Sequence, residues 1–207
     1  MPPQASTSTA GALQVSIVPA TNRQFIQRLD ELVDIHVSAM GYPATTTAQR
    51  RALWLHNGSY PDFTCSIALI HRLDATPDLA DPRQRAVGVA FAFRGSPETW
   101  WYQQVARGLA EAGHSRLEIS RILHAYAELS EIHVSPHAQG RGLGRLLLED
   151  LLHRIPQRTV MLSTPEDPQE SNGAWRLYRS AGFQNILRNF YFPPDPRPFA
   201  ILSLTLD

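Results

Sequence analysis

Ile132-His133-Val134-Ser135-Pro136-His137-Ala138-Gln139-Gly140-Arg141-Gly142-Leu143-Gly144-Arg145, continued by Leu146-Leu147-Leu148-Glu149-Asp150-Leu151-Leu152, reads as an apolar strand, a glycine-rich turn and a leucine-rich helix. Such a strand–turn–helix aims several backbone N–H groups, and the positive end of a helix dipole, at one spot. That spot suits a phosphate or pyrophosphate. Three phosphate-binding designs can be compared with it. A Walker loop needs a lysine, and the chain has none. A dinucleotide fingerprint, G-x-G-x-x-G, fails in both registers, because Arg145 or Leu147 stands where the third glycine belongs. The pattern that fits is Gln-x-x-Gly-x-Gly, made by Gln139, Gly142 and Gly144. By itself it is also compatible with a plain glycine turn.

A second stretch narrows the choice. Past a short strand at Thr159–Ser163 comes Ser171-Asn172-Gly173-Ala174-Trp175-Arg176-Leu177-Tyr178-Arg179-Ser180-Ala181-Gly182-Phe183. The two stretches together resemble the GNAT superfamily of acetyl-CoA-dependent N-acetyltransferases. There the glycine turn follows the fourth strand, and the next helix reads Asn-x-x-Ala-x-x-Leu-Tyr-x-x-x-Gly-Phe. Ala174, Leu177, Tyr178, Gly182 and Phe183 fall in register. Ser171 stands where the family has Asn, with Asn172 one residue late. The resemblance covers most of the C-terminal half.

The rest of the chain agrees with that architecture. Leu13–Val18 alternates as a strand. A helix capped by Thr21 or Asn22 runs to about Met40, with Phe25, Leu29, Leu32, Val33 and His36 or Val37 at helical spacing. A second helix starts at Thr46 or Thr47 and closes at Asn57-Gly58. Strands follow at Phe63–Ile70 and Ala86–Phe93, around an exposed loop at Leu73–Arg85. Ser96-Pro97-Glu98 reads as a helix start, and Arg116–His124 as a further helical turn or two. Tyr126–Val134 is the central strand, and Phe183–Phe192 and Phe199–Leu206 form a closing hairpin. The expected fold is α/β (α+β): the GNAT fold, a mixed, mostly antiparallel, splayed sheet of about seven strands flanked by helices. A helical insertion, Ser96 to His124, is expected between strands three and four. Residues 1–12 are expected to be a flexible tail, and 13–207 a single acetyltransferase domain.

Composition excludes several classes. The 207 residues carry no net formal charge and no basic block, which argues against nucleic acid as a partner. No apolar run reaches membrane-spanning length, and the first dozen residues lack a signal-peptide pattern. A cytoplasmic protein, monomer or homodimer, is expected. Absence of lysine rules out Schiff-base chemistry and self-acetylation at lysine. The single cysteine, Cys65, permits no intrachain disulfide. It reads as a small buried residue, with an acyl-cysteine as the alternative. His133 and His137 are separated by Pro136 on strand and turn, so they do not share a helical face. No metal is expected.

The resemblance implies acetyl transfer from acetyl-CoA to a primary amine of a small molecule or peptide. A protein lysine acetyltransferase is one alternative, and a non-catalytic acyl-CoA sensor is another. Four tasks follow. Backbone N–H groups of Gln139, Gly140, Arg141, Gly142, Leu143, Gly144 and Arg145 would hold the pyrophosphate, with Arg141 and Arg145 either adding charge or standing in solvent. Ser171 or Asn172 would contact CoA. Ile132, His133 and Val134 would line the pantetheine path, with the Val134 N–H at the thioester carbonyl. An alkyl ammonium, pKa about 10, needs a base. Glu128, eleven residues before Gln139, and Glu131 are the candidates, with His133 on the face of Glu131. A regular strand sends the two carboxylates to opposite faces, and a bulge reverses that parity. Tyr178 would protonate the leaving thiolate or merely fill the core. Tyr42, Trp100, Trp101, Tyr102, Tyr191 and Phe192 would line the acceptor pocket, or, for the tryptophan pair, anchor the insertion. The acceptor itself is not read from the sequence.

Overall fold

In the computed structural model, residues 12–206 are described. The tail expected at 1–12 therefore lies outside them except for its last residue. Seven strands form one sheet: β1 (Leu13–Ala20), β2 (Thr64–Arg72), β3 (Arg85–Arg94), β4 (Tyr126–Val134), β5 (Thr159–Pro165), β6 (Gln184–Tyr191) and β7 (Pro198–Thr205). Their order is β1-β2-β3-β4-β5-β7-β6, and only β4–β5 is parallel. Among the described residues seven α-helices flank it: α1 (Asn22–Gln27), α2 (Leu29–Met40), α3 (Thr47–Asn57), α4 (Trp100–Glu111), α5 (Arg116–Ile122), α6 (Leu143–Arg154) and α7 (Gly173–Ser180). Among the described residues no helix is long and apolar enough to cross a membrane.

Three expectations need correction. The first helical segment is not continuous. Arg28 leaves helical geometry at φ −98°, ψ 2° and separates α1 from α2. Its guanidinium explains the break, because it donates to the carbonyls of Leu79, Asp81 and Gln84 at 2.7–2.9 Å. The same contacts show that Leu73–Arg85 is not simply exposed: Leu79 and Gln84 are buried. Thirdly, α4 is capped by Thr99 rather than by Ser96 and begins at Trp100. Thr99 Oγ1 accepts the Tyr102 N–H, while Ser96 O accepts the Thr99 N–H, so Ser96-Pro97-Glu98 is a turn ahead of the helix. The insertion itself is as expected, two helices between β3 and β4.

Packing places the elements around the site. One face of β2–β3 is covered by α1–α3, with Phe25, Leu29, Leu32 and Trp54 against Ile67 and Phe91. The opposite face of the sheet meets α6 and α7, with Leu147, Leu148, Leu151 and Trp175 in one core cluster with Ala90, Ala92, Leu129, Leu162 and Leu202. The insertion packs Trp101, Val105 and Leu109 against Tyr126, Phe190 and Ile201.

Two features of β4 matter most. Its pairing with β5 covers only Tyr126–Glu128 against Thr159–Met161, after which the strands part. Opposite β3, Phe91 faces Glu131 and Ala92 faces Leu129, which leaves Ser130 as an extra residue. This bulge puts Glu128 and Glu131 on one face, with Phe93 and Phe91 beside them. Glu128 is buried there, and its carboxyl pKa is pushed up to about 8 by burial and then by the charge of Glu131. Its Oε2 has no hydrogen-bond partner.

Two stability outcomes follow. A Cβ at Gly95 would lie 2.0 Å from the buried Tyr126 ring, so Gly95→Ala should cost about 1–3 kcal/mol by overpacking in denaturant unfolding. Gly173→Ala, which meets open space, should be near neutral. For Glu128, the native state keeps the proton up to about pH 8, while an unfolded carboxyl releases it near 4.5. The group therefore favours the native state in acid and loses that contribution as pH rises through this window. Glu128→Gln removes the dependence. Its stability relative to the parent should climb with pH by up to ~1.4 kcal/mol per unit, and a pH-independent difference would contradict the assignment.

Candidate active site

The parting of β4 and β5 opens a cleft of about 1450 Å³. Leu129–Val134 form one wall, and Ser163–Pro165 with α7 residues Ala174, Leu177 and Tyr178 form the other. The cleft wall of β4 is backbone as well as side chain. Ser135 N–H donates to Val87 O, so Val134 and Gly88 are a non-hydrogen-bonded antiparallel pair. By strand alternation, residues 132 and 134 turn their N–H and C=O groups away from β3. At that level β5 no longer pairs with β4, so these groups face the cleft. Val134 O is taken by Gln139 Nε2 at 3.0 Å, which ties the glycine turn to the end of the strand.

The turn forms one end of the cleft. Gly140 and Gly142 have φ of 75° and 76°, a conformation that side chains disfavour. A Cβ at either would meet no protein atom within 4 Å. The demand for glycine is thus conformational, and the space in front of the turn is open. Gly142 is the N-cap of α6, with no side chain capping it, so the first N–H groups of the helix point outward. Gln139, Gly140, Gly142, Leu143, Gly144 and Arg145 line the cleft; Arg141 does not. Arg145 also pairs with Glu149 at 2.8 Å.

Ser171 and Asn172 are placed differently from a direct cleft contact. Neither lines the cleft. Asn172 caps α7 by accepting the Trp175 N–H, and the backbone N–H groups of both residues donate to Asp167. Arg176, one turn along α7, does line the cleft beside the glycine turn. Sequence reading passed over it as one arginine among many.

Lining the same opening is a compact polar cluster. His133 Nε2 lies 2.6 Å from Glu131 Oε2 and 2.8 Å from His36 Nδ1, and His36 Nδ1 lies 3.5 Å from Glu131 Oε2. Trp54 Nε1 donates to the other Glu131 oxygen at 3.1 Å. Burial alone would raise the Glu131 pKa, but hydrogen bonds from His133 and His36 hold it well below the usual carboxylate range. His36 comes from the apolar face of α2, where its spacing matched core residues. It is buried, 4.5 Å ring to ring from His133 and 5.3 Å from Trp54. The helical pattern marked its burial, and nothing in the pattern marked its partner. The same trio is the one set of His and carboxylate donors among the described residues grouped closely enough to be weighed as a metal site. Separations of 2.6 and 2.8 Å are hydrogen-bond spacings, closer than the ~3.3 Å that two ligands keep around a tetrahedral ion bound at about 2.0–2.1 Å.

Tyr178, buried against Phe183, faces the same cleft. Burial and then the Glu131 charge push its phenol pKa up. Glu128 does not line the cleft. Cys65 is fully buried on β2, and its thiol pKa is pushed up by burial. Trp100 and Trp101 divide the two roles considered for them. Trp101 is buried and donates to Ser163 Oγ at 3.2 Å, while Trp100 is largely exposed against Phe192; both line the cleft.

Comparison with known proteins bears on this arrangement. Residues 97–185 match the model of the acetyltransferase (GNAT) domain. The chain is 40% identical to a GCN5-like protein acetyltransferase of Mycobacterium tuberculosis, over 87% of this chain and 92% of that protein. It is 35% identical to the ribosomal protein bS18 alanine N-acetyltransferase of Salmonella typhimurium, over 49% of this chain and 74% of that protein. Among solved structures, a GNAT-family protein from Desulfovibrio desulfuricans superposes with a TM-score of 0.59 at 18% identity, covering 94% of this chain and all of that one. A Salmonella typhimurium protein solved with acetyl-CoA superposes with 0.51 at 15% identity, covering 93% and 94%. With the splayed sheet, the glycine turn and a near full-length relative in agreement, the chain belongs to the GNAT family and is an acetyl-CoA-dependent acetyltransferase.

Proposed function

We propose that residues 13–207 act as one catalytic unit that moves acetyl from acetyl-CoA directly to a primary amine of a peptide or protein, within a ternary complex and without a metal. The reading rests above all on one observation: the β4–β5 opening has an anion-seeking glycine turn at one end, and the Glu131 cluster and Tyr178 share its interior. The two relatives named above act on proteins, which supports a polypeptide amine over a free small molecule. An N-terminal α-amine and a lysine ε-amine both remain within that class.

Acetyl-CoA supplies an activated acetyl thioester. Backbone N–H groups from Gln139 to Arg145 hold its pyrophosphate, with Arg145 and Arg176 adding positive charge. The Val134 N–H donates to the thioester oxygen as negative charge develops there. The His36–His133–Glu131 cluster takes the proton of the acceptor ammonium, directly or through water. Glu131 stays ionised and orients the imidazoles, which is the arrangement a histidine base requires. The freed amine forms the new C–N bond as the C–S bond breaks, and the nitrogen then sheds its second proton to solvent. Tyr178, kept protonated by its buried position, gives its proton to the departing thiolate and regains one from solvent. The sum is amide, CoA thiol and one released proton. Glu128, buried away from the cleft, has no step assigned. A sensor that binds acyl-CoA without turnover would have no use for this pairing of Tyr178 with an ionised cluster.

Thiol release with a panel of lysine and α-amine peptides tests the assignments. Tyr178→Phe and Glu131→Gln should each lower kcat about 10²–10⁴-fold with acetyl-CoA affinity nearly unchanged. Retention of full activity in the double variant would refute the mechanism. Gly142→Glu should abolish acetyl-CoA binding in calorimetry, since it strains the turn and sets a carboxylate against the pyrophosphate. Unchanged affinity would remove the anchoring role.

A further inference from the structure

Beyond the His36 cluster, at the end of the cleft away from the glycine turn, the mouth is built from Tyr42 and Arg50 on one side and Asp195 and Arg197 on the other. Its charges are unequal. Asp195 is engaged by Arg197, through the backbone N–H at 2.9 Å and the guanidinium at 2.7 Å. Arg197 also reaches the Tyr42 hydroxyl at 3.3 Å. The Arg50 guanidinium lies over the Tyr42 ring, 5.3 Å from its centroid, and forms no ion pair with any described residue. It is only partly exposed. Two guanidiniums thus stand at this mouth against one carboxylate, which Arg197 already engages. The charge of Arg50 also contributes to holding the Asp195 carboxyl low, after the contacts from Arg197.

A mouth with surplus positive charge disfavours a simple cationic amine. It favours an acceptor that brings its own anion. Arg50 is held by its cation–π contact with Tyr42, with its fork of donors available for a planar carboxylate. The distance to the base limits where that anion sits. The Tyr42 ring stands between, 5.5 Å from the His36 ring and 5.3 Å from the Arg50 guanidinium. An amine and a carboxylate on the same carbon are too close together to reach around a whole aromatic ring. A carboxylate one or two residues along a peptide, at about 3.3–3.6 Å per residue, does reach.

We infer that Arg50, held over Tyr42, is a specificity determinant that reads a carboxylate on the acceptor one or two residues from the acetylated amine, so that the preferred substrate is an acidic peptide segment. This rests on the polypeptide acetyltransferase reading above for the identity of the amine. The carboxylate preference itself is a statement about binding.

The test is calorimetric titration of the full-length enzyme, saturated with CoA, with matched probes that differ only in charge. Ala-Glu-Ala and Lys-Glu peptide amides are compared with their Gln counterparts. A small-molecule arm compares 5-aminopentanoate with its amide. Each acidic peptide should bind at least tenfold more tightly than its neutral partner. That ratio should fall below about twofold in Arg50→Gln and to an intermediate value in Arg50→Lys, which keeps the charge but loses the planar fork, with melting curves confirming that both variants fold. Equal affinities in the parent enzyme would overturn the proposal, and so would a preference that survives Arg50→Gln. A preference confined to the free amino acid would overturn the peptide assignment. If the acidic preference holds and depends on Arg50 while no probe releases thiol from acetyl-CoA, the transfer reading fails and the recognition site stands.

Discussion

Everything about this site depends on β4 letting go of β5 after Glu128. A continuous ladder would satisfy the N–H and C=O groups of Ile132 and Val134 within the sheet and leave no room between the strands. Because the strands part, β4 offers one edge of its backbone to the cleft while β3 still holds the other. The sheet survives the gap because its two halves are held from outside. α6 packs Leu147, Leu148 and Leu151 under the β3–β4 half, and β7 pairs with β5 along the full length of that strand. The insertion then closes over the junction, with Trp101 reaching from α4 to Ser163 on β5. A cleft that would otherwise be a defect in a sheet becomes a rigid slot.

The second constraint is the single extra residue at Ser130. It turns Glu131 and His133 toward α2 and α3, where His36 and Trp54 meet them. A buried carboxylate is costly unless it is well supplied with donors, and here both oxygens have them. Glu128, on the same face three residues earlier, lacks such donors and keeps its proton instead. Two carboxyl groups a few residues apart are thereby driven in opposite directions by their surroundings, a separation that commonly marks acid–base sites.

Local sequence carried the reading furthest where structure is locally determined. The glycine turn, the α6 stripe and the α7 register are each contained within about fifteen residues, and each was legible. So were the seven strands and the position of the insertion. Side chains that join distant elements were not. Arg28 breaks a helix because carbonyls some fifty residues later receive its guanidinium. His36 reads as one more core position on an amphipathic helix, and only the sheet behind it gives it a polar partner. The parity of Glu128 and Glu131 hung on a bulge that has no sequence signature. Ser96-Pro97-Glu98 had every local mark of a helix start, but the chain spends those residues on a turn and lets Thr99 do the capping.

The Arg28 joint has a mechanical consequence. α2 delivers His36 to the centre of the site, and the angle at which it leaves α1 is set by three carbonyls of the loop between β2 and β3. That loop contributes no residue to the lining of the cleft. Its length and shape nonetheless act as a trim screw on the depth of an imidazole in the interior. Relatives that differ only in this loop would share every residue of the cleft and still differ in how closely the imidazole meets its carboxylate, a route by which a surface segment can tune chemistry without touching it.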